Sequence, residues 1–515
     1  MMKRVLCVLT ALCCVFLLNS CTGTRIEENQ TPVATLPPAE ARFTAPDGDA
    51  NNTKVRDYNL YFPGRDGLSL VSKSVTLTTE NPNDTVEKLM KELLAFEGDV
   101  DAKKLGEERP LELSGAHPIE ISGNVCTVNL SRSALDSNKK DYYKDCLAIA
   151  TTLCELNEIN GVNVLVDNKS VPLDITGHLP MGTLMGHAGE SIQSLWEQTD
   201  AKKTPLAGGD QSKNPLNALT TIYYPLADSR GVACSMRRVN FTGQKPEQLA
   251  VGLIDEISNT RRTLAGGQNF PELKSLLLHE PVLTIQEGGE RILTLSLKED
   301  AAEILKEART DDACFTAAVT LTLTTFIPDI YAVRIRIGDQ LVTELKTARF
   351  ERATALSGLV ERRSVQQYLM SSVTVYFARN GILCECERPV ASGSVNSLRT
   401  QLCALMEGPD PTEEEGGIVP TLPEAVREDD ILGISAEGDT LLVNLSEHFR
   451  AEIAAQDPDD ETMICYSMVN TLCKNTGMKR VRFFFEGEQQ EYLAGTIYWA
   501  GEFLYNIGLA EKGLG

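Results

Sequence analysis

The stretch "VCTVNLS" at residues 125–131 returns as "LLVNLS" at residues 441–446. Asn129 and Asn444 sit in the same Val-Asn-Leu-Ser setting, 315 residues apart. In the first copy Cys126, Val128 and Leu130 alternate with Thr127, Asn129 and Ser131. In the second, Leu441, Val443 and Leu445 alternate with Leu442, Asn444 and Ser446. Alternation with period two reads as a strand with one apolar face. A third, weaker version, "ILTLSLKEDA" at 292–301, keeps the apolar residues and carries Ser296 where the asparagine would stand.

Working outward, each strand has the same neighbours. Ahead of it come "HPIEISGN", "EPVLTIQEGG" and "DILGISAEGD", each ending in a glycine turn, which predicts a hairpin. Further upstream stand "NLYFPGRDG" (59–67), "TIYYPLADSRG" (221–231) and "VTVYFARNG" (373–381), with aligned Tyr61, Tyr223 and Tyr376. Tyr61 to Asn129 and Tyr376 to Asn444 are both 68 residues. A helix is predicted after each opening, at 84–98, 245–257 and 395–409, with leucines at helical spacing. Asp84 or Thr85 is the expected cap of the first.

Downstream lies a second helix. At 142–156 its stripe holds Cys146, Leu147, Ala150, Leu153 and Cys154. At 462–475 it holds Cys465, Val469, Leu472 and Cys473. The middle segment, "AAVTLTLTTF" (317–326), alternates like a strand. Its register within the repeat predicts a helix, and the repeat is given precedence. Last strands follow at 162–169, 333–340 and 481–488. The fold class is therefore α+β: three tandem two-layer α/β modules, with helices packed on one face of a mixed or antiparallel sheet. The expected partition is a signal peptide at 1–20, a flexible tether at 21–56, and modules at 57–186, 219–345 (divergent) and 372–505. Linkers are expected at 187–218 and 346–371, and a tail at 506–515.

The N-terminus, "MMKRVLCVLTALCCVFLLNSC", has Lys3 and Arg4, an apolar run from Val5 to Leu18, and a cysteine after Ser20. The run is short for a membrane span, which needs about 20 residues. The pattern resembles a bacterial lipoprotein signal, which implies lipidation of Cys21. A plain secretory signal with an incidental Cys21 is the alternative. The formal net charge of −23 supplies no basic patch for an anionic membrane, and it argues against nucleic acid as a partner. Ten further cysteines lie mostly in apolar periodic segments, where buried free thiols are expected; disulfides in an exported protein, or metal binding, are the alternatives.

The aromatic opening, the "LMEGP" helix end at 405–409, the "VNLS" strand and the final strand together resemble the GerMN-domain family of sporulation and germination lipoproteins. That resemblance implies envelope assembly between mother cell and forespore, and a fold akin to ring-building motifs of secretion systems. Enzyme signatures are absent: there is no G-x-S-x-G elbow, phosphate loop or H-E-x-x-H helix. His448 follows one "VNLS" strand, but Ser133 occupies the matching place in the first copy. The acidic runs at 409–417 and 457–461 lack calcium-loop spacing and read as solvated charge. The asparagines are expected to face outward at strand ends, with Ser131 and Ser446 capping the next turn.

The expected function is a non-catalytic, protein-binding scaffold at the extracytoplasmic face of the cell membrane, in sporulation or germination. No catalytic, metal or cofactor residue is expected. Partners would be the membrane, through a lipid on Cys21, and envelope proteins or further copies of the chain. The alternatives are a lipoprotein that binds cell-wall glycan or peptide, and an envelope enzyme with a site assembled between modules.

Overall fold

Each aromatic opening folds into a long antiparallel hairpin. In the computed structural model, which describes residues 43–50, 54–115, 118–136, 138–174, 177–203, 209–264, 269–347, 350–394 and 397–510, the first is β1 (Lys54–Pro63) with β2 (Leu70–Thr79), and Tyr61 lies opposite Ser72. Helix α1 (Pro82–Ala95) follows. Its cap is Asn81, upstream of the expected pair, because its side chain accepts the Asp84 N–H and Pro82 then fits the first turn. Val86, Leu89, Met90 and Leu93 form its buried stripe. Strands β3 (Ile119–Ser122) and β4 (Val125–Leu130) make the predicted hairpin. Helix α2 (Lys139–Leu153) crosses over, so β5 (Gly161–Val166) runs parallel to β4 and β6 (Lys169–Ser170) closes antiparallel. A helical crossover between neighbours is what permits that one parallel pair.

The order repeats. After α3 (Ile192–Lys203) come hairpin β7 (Leu216–Pro225) and β8 (Val232–Phe241), then α4 (Pro246–Leu264). Strands β9 (Val282–Ile285) and β10 (Arg291–Leu297), helices α5 (Ala301–Glu307) and α6 (Asp312–Phe326), and strands β11 (Ile330–Ile337) and β12 (Gln340–Leu341) complete the middle module. Segment 317–326 is thus helical. Every residue of α6 from Ala313 to Phe326 is buried, so its period-two look reflects burial on all sides. Strands β13 (Glu344–Thr347), β14 (Phe350–Ala355) and β15 (Val360–Glu361) and helix α7 (Arg362–Val365) lead onward.

The last module has hairpin β16 (Met370–Arg379) and β17 (Ile382–Ala391), helices α8 (Leu398–Met406) and α9 (Pro411–Glu415), and strands β18 (Ile431–Glu437) and β19 (Thr440–Leu445). Helices α10 (Glu447–Ala454) and α11 (Pro458–Thr476) and strands β20 (Arg480–Phe485) and β21 (Phe503–Leu504) finish it. The chain is α+β throughout. One contact marks the shared plan. The backbone N–H of Tyr61, Tyr223 and Tyr376 donates to the hydroxyl of Thr152, Thr322 and Thr471 at 2.9, 2.9 and 3.2 Å. Each hairpin is therefore pinned to the crossover helix of its own module.

The spaces between modules differ from expectation. Ala45–Gly515 is one compact unit, and one hydrophobic core runs from Leu60 to Ile335 across the first two modules. Segment 187–218, expected as a linker, contains α3, whose Trp196 packs on Tyr143 at 5.5 Å between ring centroids. Segment 346–371, also expected as a linker, buries Val360, Arg362, Val365 and Tyr368. Apolar side chains spaced along these stretches find neighbouring modules to bury against, which outweighs their loop-like composition.

Candidate interaction surfaces

The repeated asparagines are buried and hold a turn, contrary to the expected outward pose. Asn129 Oδ1 accepts the Asn168 N–H at 2.8 Å, and Asn444 Oδ1 accepts the Gly487 N–H at 2.9 Å. Both partners sit in positive-φ turns that follow β5 and β20. The amide nitrogens diverge. Asn129 Nδ2 donates to Ser114 O at 3.1 Å, within its own module, whereas Asn444 Nδ2 donates to Pro46 O at 3.0 Å. Ser446 does cap a helix, accepting the Phe449 N–H at the start of α10, while Ser131 bonds Ser133.

That Pro46 contact belongs to a strap. Residues 45–50, at the end of the expected tether, lie along the outer edge of β18. Ala50 N–H donates to Ile434 O at 2.9 Å, and Ile434 N–H donates to Asp49 Oδ1 at 3.1 Å. Arg399 grips the same carboxylate through Nε at 2.7 Å and Nη2 at 3.0 Å. Gly433 makes the fit possible, since a Cβ there would stand 2.5 Å from the Gly48 nitrogen.

The first module's matching edge, β3, is covered by the third module. Ser122 Oγ donates to Met370 O at 2.6 Å, and the Ser392 hydroxyl donates to Ile121 O. The junction centres on Arg362, whose side chain is 1% exposed. Its Nη2 meets Glu120 Oε2 at 2.6 Å, Nη1 donates to Thr325 Oγ1 at 2.6 Å, and the guanidinium lies 5.6 Å from the Tyr223 ring centroid. Between the first two modules a buried network joins Asn163, Thr183 and Thr221, with Thr183 Oγ1 donating to Asn163 Oδ1 at 2.8 Å. This explains why β4 and β5 are buried on both faces rather than one.

Groups that could suggest chemistry are occupied otherwise. His448 Nδ1 lies 3.0 Å from Asp430, and Ser446 Oγ donates to Asp430 at 2.5 Å. The carboxylate is the hub, so serine and histidine do not meet as a nucleophile–base relay requires. Burial opposes the Asp430 charge, and hydrogen bonds from Ser446, the Arg427 N–H and His448 outweigh it, holding the carboxyl below its ordinary value. The ten described cysteines are free thiols, buried or half-buried. Desolvation pushes Cys154 up to about 11 and Cys234 up to about 12, which disfavours thiolate.

Two acidic residues read as solvated are structural instead. Glu413 pairs at 2.5 Å with Arg388, whose side chain is buried. Glu461 is fully buried, accepting the N–H groups of Ala494, Thr496 and Ile497 and the Trp499 Nε1–H at 2.7 Å. Its place four residues before Cys465 on the core stripe of α11 was the available signal. Arg362 and Arg388 had no comparable signal.

A cleft of about 640 Å³ lies between the first and third modules, lined by Tyr58, Asn59, Asn81, Gln401, Lys474 and Asn475 among others. Much of its polar lining is already engaged: Tyr58 OH with Thr79, Asn59 with Glu155, and Asn475 with the Thr374 backbone. Cys21, the leader and residues 21–42 lie outside the described residues. Among the described residues no helix is long and apolar enough to cross a membrane.

The Germane family model, that of sporulation and spore germination, matches residues 59–172 and 374–491. The two matched segments are the modules that carry Asn129 and Asn444. No curated protein matches the chain. Among solved structures, the chain is similar to the tandem GerMN domains of the sporulation protein GerM from Bacillus subtilis. The identity is 16%, over 60% of this chain and 99% of that one, with a TM-score of 0.20. The first GerMN domain of the same protein aligns at 14% identity over 26% of this chain and 98% of that one, TM-score 0.20. A candidate lipoprotein from Clostridium perfringens aligns at 20% identity over 25% and 87%, TM-score 0.17.

Proposed function

We propose that the chain is a membrane-anchored, extracytoplasmic lipoprotein that acts as a non-catalytic, protein-binding scaffold in sporulation or spore germination. A lipid on Cys21 anchors it, and the middle module is a divergent third copy of the Germane plan. The observation that carries the scaffold reading is how the modules meet. Their sheet edges and hairpin ends bind extended backbone and neighbouring modules through hydrogen bonds, as at Ser122, Ser392 and Ile434. Surfaces that join modules within the chain are suited to join other proteins. The Germane family's link to sporulation and germination supports the setting.

Two experiments test this. Cys21→Ala should move the chain from the membrane to the soluble extracytoplasmic fraction; unchanged fractionation sinks the lipid anchor. Proximity labelling from the chain in sporulating cells should mark a reproducible set of envelope proteins absent from vegetative cells. Exclusive recovery of cell-wall glycan or peptide, with no protein labelled, would overturn the scaffold.

A further inference from the structure

The three modules present one equivalent strand at the edge of their main sheets: β3, β9 and β18. Two are covered. The third module's Ser392 and Met370 cap β3, and the strap 45–50 lies on β18. Among the described residues, the middle module's β9 pairs with β10 alone. Gln286 N–H donates to Glu290 O across the hairpin, so by antiparallel alternation residues 282, 284 and 286 turn their backbone groups to β10. Leu283 and Ile285 therefore point theirs outward. Among the described residues no hydrogen bond reaches those outer groups. Leu283 and Ile121 occupy matching positions, and the Ile121 carbonyl is the one that Ser392 caps.

We propose that β9 is a strand-addition site for an extended segment of a partner protein, one that alternates apolar with basic residues. The equivalent β18 edge already accepts an extended segment, which fixes the kind of occupant. Charge fixes its chemistry. Glu280, Glu287 and Glu290 flank the strand and are exposed. Antiparallel pairing of β9 with a second β9 would bring these glutamates together, in a chain of net charge −23. Short length, charge and Pro281 guard an edge against its own kind. They do not guard it against a basic strand. Val282 at 45% and Ile285 at 68% exposure are apolar residues that a purely protected edge has no reason to keep. This deepens the scaffold reading by naming one docking edge and rests on that reading for its biological sense.

The test uses the full chain in detergent and a fluorescent eight-residue peptide of alternating valine and lysine, with a valine–glutamate peptide as its counterpart. The lysine peptide should bind saturably, weaken as salt rises, and bind at least tenfold more tightly than the glutamate peptide. Leu283→Pro, which removes an outward N–H and leaves the β10 pairing intact, should weaken it at least tenfold at unchanged circular dichroism. Ile285→Lys should act likewise and stands in if the proline variant misfolds. Glu287→Lys with Glu290→Lys should shift preference toward the glutamate peptide. Equal binding of both peptides, or lysine-peptide binding untouched by Leu283→Pro and Ile285→Lys, overturns the site. A dimer that sediments as such and dissolves in Leu283→Pro, without peptide binding, replaces the partner with a second copy. Failure of this site leaves the membrane and labelling tests of the scaffold unaffected.

Discussion

Arg362 offers the sharpest test of how the modules are held together. Its guanidinium is buried at the meeting of β3, β7, α6 and α7, and it neutralises Glu120, whose side chain is 12% exposed. Removing one partner of a buried pair leaves an uncompensated charge and costs roughly 3–5 kcal/mol. Arg362→Met should therefore destabilise the unit formed by the first two modules by about that amount. Unfolding entropy is about 2.1 cal/mol/K per residue, so a cooperative block of roughly 300 residues changes by about 0.6 kcal/mol per degree. The expected fall in Tm is about 5–8 °C. Adding Glu120→Leu should restore more than half of the loss, because an apolar pair of similar volume substitutes well for a buried ion pair. Differential scanning calorimetry on the wild type, both single variants and the double variant gives the coupling energy directly. A single-variant loss below about 1 kcal/mol, the size of an exposed pair, or a coupling near zero would refute the argument.

Other expectations follow from the same contacts. Asn129→Ala and Asn444→Ala should each cost about 1–3 kcal/mol, since each strips a turn of its buried acceptor; Asn444→Ala alone should also speed hydrogen exchange at residues 45–50, read by mass spectrometry. Desolvation raises the Asp145 carboxyl from 3.8 to about 7, with the Gly106 N–H opposing the shift. A raised carboxyl stabilises fully below the unfolded pKa and loses that contribution as pH rises through the folded one. Asp145→Asn should therefore gain on the wild type by about 1.4 kcal/mol per pH unit between about 4 and 7, measured by urea melts across pH. Hydrogen bonds from Trp499 and three backbone N–H groups outweigh burial and hold the Glu461 carboxyl below its ordinary value. Its contribution is present above the unfolded pKa and lost as pH falls through the folded one. Glu461→Ala should red-shift Trp499 emission and free the 494–499 loop to proteolysis, with unchanged emission counting against it.

Much of the module was legible in the sequence. The spacing of Tyr61, Asn129, Tyr376 and Asn444 located the repeat, and the period-two strands and leucine stripes named its elements. The register of the repeat even outweighed the local strand pattern of α6. Periodicity works here because it reports which face of an element is apolar, and that is a local property. The function class was legible only as far as the family resemblance reached.

Failures fell where side chains meet across long separations. The asparagines looked exposed because alternation places them opposite the apolar face, yet Asn129 is buried against Ser114 and Asn168 of its own module and Asn444 against Pro46 of the strap. Arg362 and the strap residues looked like linker and tether because composition cannot show that another module waits to bury them. Local patterning along the chain was enough to define the module and its element order. Only the three-dimensional packing shows that the first two modules share a core, that the strap returns to the third, and that no described residue covers the β9 edge. Those outcomes depend on which surfaces come into contact, and burial and hydrogen-bond satisfaction at such contacts are set in three dimensions, between residues hundreds of positions apart.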